Sequence, residues 1–226
     1  LIDMGYRDAR GVLRSRQPTP LDSRATATQE PGVGVTFREK MSGGFTLGIT
    51  DPRAATADAS PLTMHASIHV NDIVAFVANR QHKADLTGHI DFEPFGTSIP
   101  AESGAFGLFT PSDDPALTYM IYELGFRHAG KSYYLEGKKH VHLGGPWRLW
   151  AETTTLFCLL HEGVNSSGRV VGAGTLRLGM ADLFRLLGTF HATHAPTEGR
   201  SVGASWRFFR FFMAELVRTY ILRRPR

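Results

Sequence analysis

One cysteine among 226 residues leaves nothing for an internal disulfide, so the fold must hold without covalent cross-links. Cys158 lies in the apolar run Thr155-Leu156-Phe157-Cys158-Leu159-Leu160, where it reads as a small core residue. The shortage of thiols favours a cytoplasmic setting. No apolar stretch approaches the ~20 residues that span a bilayer, and the first residues lack the charged-then-apolar layout of a secretory signal. An initiator methionine is also missing: the chain opens on Leu1, as a piece of a longer polypeptide would. Internal repeats are absent.

Charge is not concentrated along one face. The formal net charge is +4, but Arg7, Arg10, Arg14 and Arg16 open the chain and Arg218, Arg223, Arg224 and Arg226 close it. The middle is nearly balanced, with neither a zinc-finger spacing nor an aromatic RNP-type strand, so nucleic acid is not an expected partner.

The standard catalytic signatures are missing too. Gly32-Val33-Gly34 and Gly172-Ala173-Gly174 lack the third glycine and the following helix of a dinucleotide site, so no flavin or nicotinamide cofactor is expected within this chain. There is no G-x-S-x-G, and His161-Glu162 does not extend to H-E-x-x-H. Gly125-Phe126-Arg127-His128-Ala129-Gly130-Lys131-Ser132 matches the phosphate-loop pattern in form. The residues after it, Ser132-Tyr133-Tyr134-Leu135, are strand-like rather than helical, which points to a hairpin turn with a solvated Lys131.

Ten histidines could build a metal site if three or four converged. His65 with His69, His140 with His142, and His191 with His194 each share a face, but pairs alone are too few, and no metal is assigned. Acid-base pairs need no sequence signature, because a barrel interior can gather them from separate strands. Glu123, Glu136 and His161 are the candidates, against the plainer reading that each carboxylate faces solvent or pairs with Lys138 or Lys139.

What the chain does have is period-two alternation. Residues 1–36 are rich in Arg, Pro, Thr and Asp without a sustained apolar period, and read as a linker or arm. From Phe37 the texture becomes short apolar runs broken by Gly, Pro, Asp and Asn. The clearest strand is 62–70, with Leu62, Met64, Ala66, Ile68 and Val70 alternating with polar residues. Further strands are expected at 37–49, 85–93, 103–110, 117–127, 131–142, 149–162 and 169–178, with a short helix after Asn71-Asp72. The cluster Asn165-Ser166-Ser167-Gly168 should supply positive φ at the last reversal. About eight strands suffice for a closed antiparallel barrel of the lipocalin or calycin kind, with a domain spanning 37–195. The fold class is therefore mainly β, with a C-terminal helical segment.

After Leu178 the period becomes helical, with Met180, Leu183, Phe184, Leu187 and Phe190 on one face. Within 196–226 a long aromatic helix is expected over Ser201 to Leu222. Two readings of it stand: a core helix packed on the barrel or a partner domain, and an interfacial helix that lays Trp206, Phe209 and Phe212 on a membrane surface with its arginines snorkelling.

Six strings carry a resemblance: Phe37-Arg38-Glu39-Lys40-Met41-Ser42-Gly43, Leu62 to Ile68, Leu86-Thr87-Gly88-His89-Ile90-Asp91, Tyr119 to Leu124, Leu149 to Leu156, and Gly172 to Leu176. Over about 37–195 the chain resembles a β-rich region accompanying bacterial cholesterol-oxidase-like flavoproteins of the glucose-methanol-choline class and related α/β-hydrolase proteins. The resemblance implies association with sterol or lipid-alcohol oxidation, with any FAD held by a partner domain. It transfers no catalytic residue. The expected function is a non-catalytic accessory domain that binds a hydrophobic small molecule or a flavoprotein or hydrolase domain. The alternatives are a small lipid cyclase or isomerase acting inside the barrel, and a peripheral membrane module.

Overall fold

The computed structural model describes residues 33–54, 57–142, 149–178 and 191–193, all within the unit Pro31–Arg226. Most of the expected arm, the helix expected over 180–190, and the aromatic helix with Trp206, Phe209 and Phe212 lie outside the described residues.

In chain order the elements are β1 (Gly34–Leu47), β2 (Ser60–Val70), α1 (Ile73–Ala78), β3 (Lys83–Phe92), β4 (Gly96–Pro100), β5 (Ser103–Pro111), β6 (Leu117–His128), β7 (Lys131–His142), α2 (Leu149–Thr154), β8 (Thr155–Glu162), β9 (Arg169–Leu178) and β10 (His191–Thr193). β1, β2, β3, β5, β6, β7, β8 and β9 pair in that order, every pair antiparallel, and β1 then pairs with β9. The result is a closed antiparallel barrel of eight strands. Closure follows from the pattern: each strand has one apolar face to bury, and joining first strand to last removes two unpaired edges. β4 lies beside β3, and β10 pairs with the start of β1.

Side-chain alternation sorts the two walls. Leu62, Met64, Ala66, Ile68 and Val70 of β2 are all buried in the lumen, as are Met120, Tyr122 and Leu124 of β6 and Leu156, Cys158 and Leu160 of β8. Cys158 is therefore a core residue, as its apolar neighbours imply. Near the end of β2, Asp72 caps α1 by accepting the Val74 and Ala75 N–H groups, and Ile73 and Phe76 are buried in the core.

Some details depart from the alternation rule. The strand expected over 149–162 begins only at Thr155; the six residues before it form α2. The described pairing of β8 with β9 begins at Thr155, opposite Arg177. The helical turn instead lets Glu152 accept the His142 backbone N–H at 2.9 Å. His191, expected at a helix end, lies in β10. At the last reversal the positive φ falls on Gly163, and Asn165 shapes the turn by accepting the Ser167 N–H.

Candidate functional site

Three polar side chains occupy inward positions that alternation otherwise fills with apolar residues. On β1, Glu39 stands between Phe37 and Met41; on β7, Lys139 follows Leu135 and Gly137; on β6, Tyr122 sits between Met120 and Leu124. All three are buried, Lys139 at 2% exposure and Tyr122 at 1%. β6 lies four strands from β1 in either direction round the barrel, so the contact crosses the lumen. Tyr122 donates its hydroxyl to Glu39 Oε2 at 2.8 Å. Lys139 Nζ donates to Tyr122 Oη at 2.9 Å and lies 3.3 Å from Glu39 Oε2, with its ammonium 4.8 Å from the Tyr122 ring centre.

Burial, reinforced by the neighbouring Glu39 carboxylate, raises the Tyr122 phenol well above its ordinary range, so it stays a donor. The Cys158 thiol is likewise pushed up by burial, only partly offset by the Lys139 ammonium, and is held as thiol. The cluster thus offers a carboxylate acceptor, a hydroxyl that can do both and an ammonium donor inside an apolar core. Aromatic rings flank it. Phe37 and Phe106 pack edge-on at 6.1 Å, with Phe106 5.0 Å from Tyr122, and a second group contains Phe45, Phe92, Phe95 and Phe126.

The three acid-base candidates sit elsewhere. Glu123 and Glu136 are paired directly across β6 and β7, on the outer wall by alternation with Tyr122 and Leu135. Glu136 binds Lys138 at 2.9 Å. Glu123 accepts from Tyr134, whose phenol is raised by desolvation and by this carboxylate. His161 is opposite Tyr134 on β8. Its Nδ1 lies 3.0 Å from the Gly168 carbonyl, and its buried Nε2 has no hydrogen-bond partner among the described residues. Glu123 and Glu136 are neighbours, while His161 stands two residue pairs along the β7–β8 ladder from Glu136. Sequence reasoning missed the lumen cluster because Glu39 on β1 lies 83 residues before Tyr122 and 100 before Lys139, and only barrel closure brings it to the β6–β7 hairpin. The legible signal was a charged residue on the apolar parity of an alternating strand.

The outer wall carries a second grouping. His65 on β2 faces His89 on β3 with rings stacked at 4.3 Å, and His65 Nε2 lies 3.0 Å from Asp91 Oδ2. His69, expected as the partner of His65, turns instead to Thr36 and Thr87, one through each ring nitrogen. His140 contacts Arg53 and His142 contacts Glu152, so that pair is committed to separate partners. The formal phosphate-loop match is the β6–β7 hairpin: Ala129 and Gly130 both have positive φ, and Lys131 pairs with Glu162 at 2.9 Å. No helix of the described residues is long and apolar enough to cross a membrane. Against protein-family models, curated proteins and solved structures, the chain finds no match.

Proposed function

We propose that the barrel is a non-catalytic accessory domain of sterol or lipid-alcohol metabolism, working in the cytoplasm, which takes one hydrophobic molecule with a hydroxyl end into its lumen. The observation that carries this reading is the Glu39–Tyr122–Lys139 cluster in an otherwise apolar interior. Desolvating an ion pair costs several kcal/mol per ion, and well-packed apolar residues would serve stability as well or better. A buried charged cluster is therefore better explained by recognition. A ligand hydroxyl both donates and accepts, so it can donate to Glu39 while accepting from Lys139 or Tyr122. Apolar walls with a few placed polar groups are the usual composition of a small-molecule site, and the interior of an eight-stranded barrel is of the size that side chains fill or that one small ligand occupies.

The resemblance of the barrel strings to the region accompanying cholesterol-oxidase-like flavoproteins supports a sterol as the ligand and a flavin-bearing or hydrolase domain as the partner. Native mass spectrometry and thermal shift with cholesterol, a long-chain alcohol and a fatty acid test it. We expect one bound sterol or alcohol per chain and a raised melting temperature, both lost in the doubly substituted Glu39→Gln, Lys139→Met protein. Absence of stabilisation by any of the three would refute the reading.

The second reading is an isomerase or cyclase in the same lumen, favoured by one detail: the Tyr122 hydroxyl is held between a carboxylate and an ammonium, a set able to move protons. Conversion of a bound lipid that is lost with Tyr122→Phe, while binding persists, would favour it over the accessory role.

A further inference from the structure

The wet face of β2 and that of β3 come together at one place. His65 and His89 are directly opposite in the antiparallel register, and Asp91 lies two residues beyond His89 on the same face. The two imidazoles are stacked 14° from parallel. One donor atom from each of His65, His89 and Asp91 lies within 4.8 Å of the other two, and all three side chains are half-buried.

The surroundings hold this arrangement in place. Gly88 is what allows the approach, since a Cβ there would run into the His65 carbonyl. The Asp91 carboxylate is oriented from behind: its Oδ1 accepts the Ser98 backbone N–H at 2.8 Å, leaving Oδ2 turned to His65. Such outer partners are what fix a ligating carboxylate.

We propose that His65, His89 and Asp91 form a binding site for a divalent transition-metal ion of the zinc class on the outer wall of the barrel. Two imidazole nitrogens and one carboxylate oxygen suit this class, whereas calcium and magnesium prefer sites built of oxygen alone. Bonds of about 2.0–2.2 Å to an ion held between the three donors need only small side-chain rotations. The ion replaces the present His65–Asp91 hydrogen bond. Three protein ligands leave a coordination position open on the solvent side, where the His65 and Asp91 side chains are 30% and 36% exposed. The site shares no residue with the lumen cluster, so it stands or falls independently of the ligand reading.

The test is titration of the chelator-treated full chain with Zn2+ by calorimetry and with Co2+ by visible absorption. About one ion per chain is expected, with Co2+ showing the intense bands of a four- or five-coordinate site. His89→Gln and Asp91→Asn should each weaken binding by roughly tenfold or more, and His69→Ala should leave it unchanged. Far-ultraviolet circular dichroism checks that each variant is folded, and the near-isosteric Asp91→Asn keeps the test open if His89→Gln is not. Failure to bind either ion at micromolar concentration would overturn the site and leave a histidine–aspartate pair. Binding that survives both substitutions would overturn it equally, by locating the ion elsewhere.

Discussion

Lys139 and Glu39 illustrate how a single position can carry more consequence than its neighbours. Each occupies a lumen site where a methionine or leucine would fit, and each depends on the other for compensation of a buried charge. Replacing Lys139 by Met strands the Glu39 carboxylate with one hydrogen bond from Tyr122, and should destabilise the barrel by about 3–5 kcal/mol. Adding Glu39→Gln to that variant removes the stranded charge and should recover most of the loss, a non-additivity that urea unfolding of the two single variants and the double variant measures directly. His140 gives the residue scale a pH dependence. Its folded pKa is depressed, first by burial and then by the positive charges of Arg53, His142 and Lys138, with Glu152 opposing. A histidine whose protonation the fold resists contributes fully above its unfolded pKa of about 6.5. As pH falls through that value the unfolded chain takes up a proton before the folded one does, and stability drops until the folded pKa is passed. The urea midpoint should therefore fall between about pH 7.5 and about pH 5.5, and less steeply in His140→Gln. An unchanged slope in that variant would assign the effect to other histidines.

At the scale of elements, the barrel closes where its first and last strands meet, and that seam is made of glycine on both sides. Gly43 and Gly44 of β1 face Leu176 and Thr175 of β9, while Gly172 and Gly174 of β9 face Leu47 and Phe45. A Cβ built on Gly174 would run into the Gly44 carbonyl and Phe45, and one on Gly43 into the Thr175 carbonyl. The Gly172-Ala173-Gly174 string, useless for a phosphate, has its physical purpose here as a close backbone approach. Gly174→Val should cost about 1–3 kcal/mol or more by overpacking. The variant's thermal midpoint reads this, with Val170→Ile at the other end of β9 as a control that leaves the seam untouched. The same strands show how far sequence reading reached. Period-two patterns located the eight barrel strands, because a one-sided burial requirement writes itself directly into alternation. They missed β4, which is short and largely exposed, and β10, which has only three residues. They overran into α2, because the threonine-rich segment 153–155 carries strand propensity although Leu149–Thr154 is helical. The lumen cluster and the His65–His89–Asp91 grouping stayed hidden for a different reason. Both are products of register and closure, and neither is contained in any one segment.

For the molecule as a whole, closure makes the last barrel strand as necessary as the first. β1 pairs with β2 early in the chain and with β9 near the end of the described barrel, so the Phe45–Gly174 pair joins residues far apart in the sequence. Folding dominated by such distant pairings is slow, on the scale of milliseconds to seconds. Two truncations separate the contribution of closure from that of the following segment. A chain ending at Gly168 lacks β9 and leaves β1 and β8 with open edges, which invite pairing between molecules. It should lose cooperative thermal unfolding and elute as concentration-dependent oligomers in size-exclusion chromatography. A chain ending at Thr193 keeps all eight barrel strands and β10, and should retain the strand-rich circular dichroism spectrum and a single cooperative melt. If the chain ending at Thr193 melts as broadly as the one ending at Gly168, strand closure is not sufficient and residues 194–226 supply part of the core. A sharp melt in the chain ending at Thr193, together with the Glu39- and Lys139-dependent sterol binding proposed above, would make the barrel alone the binding unit.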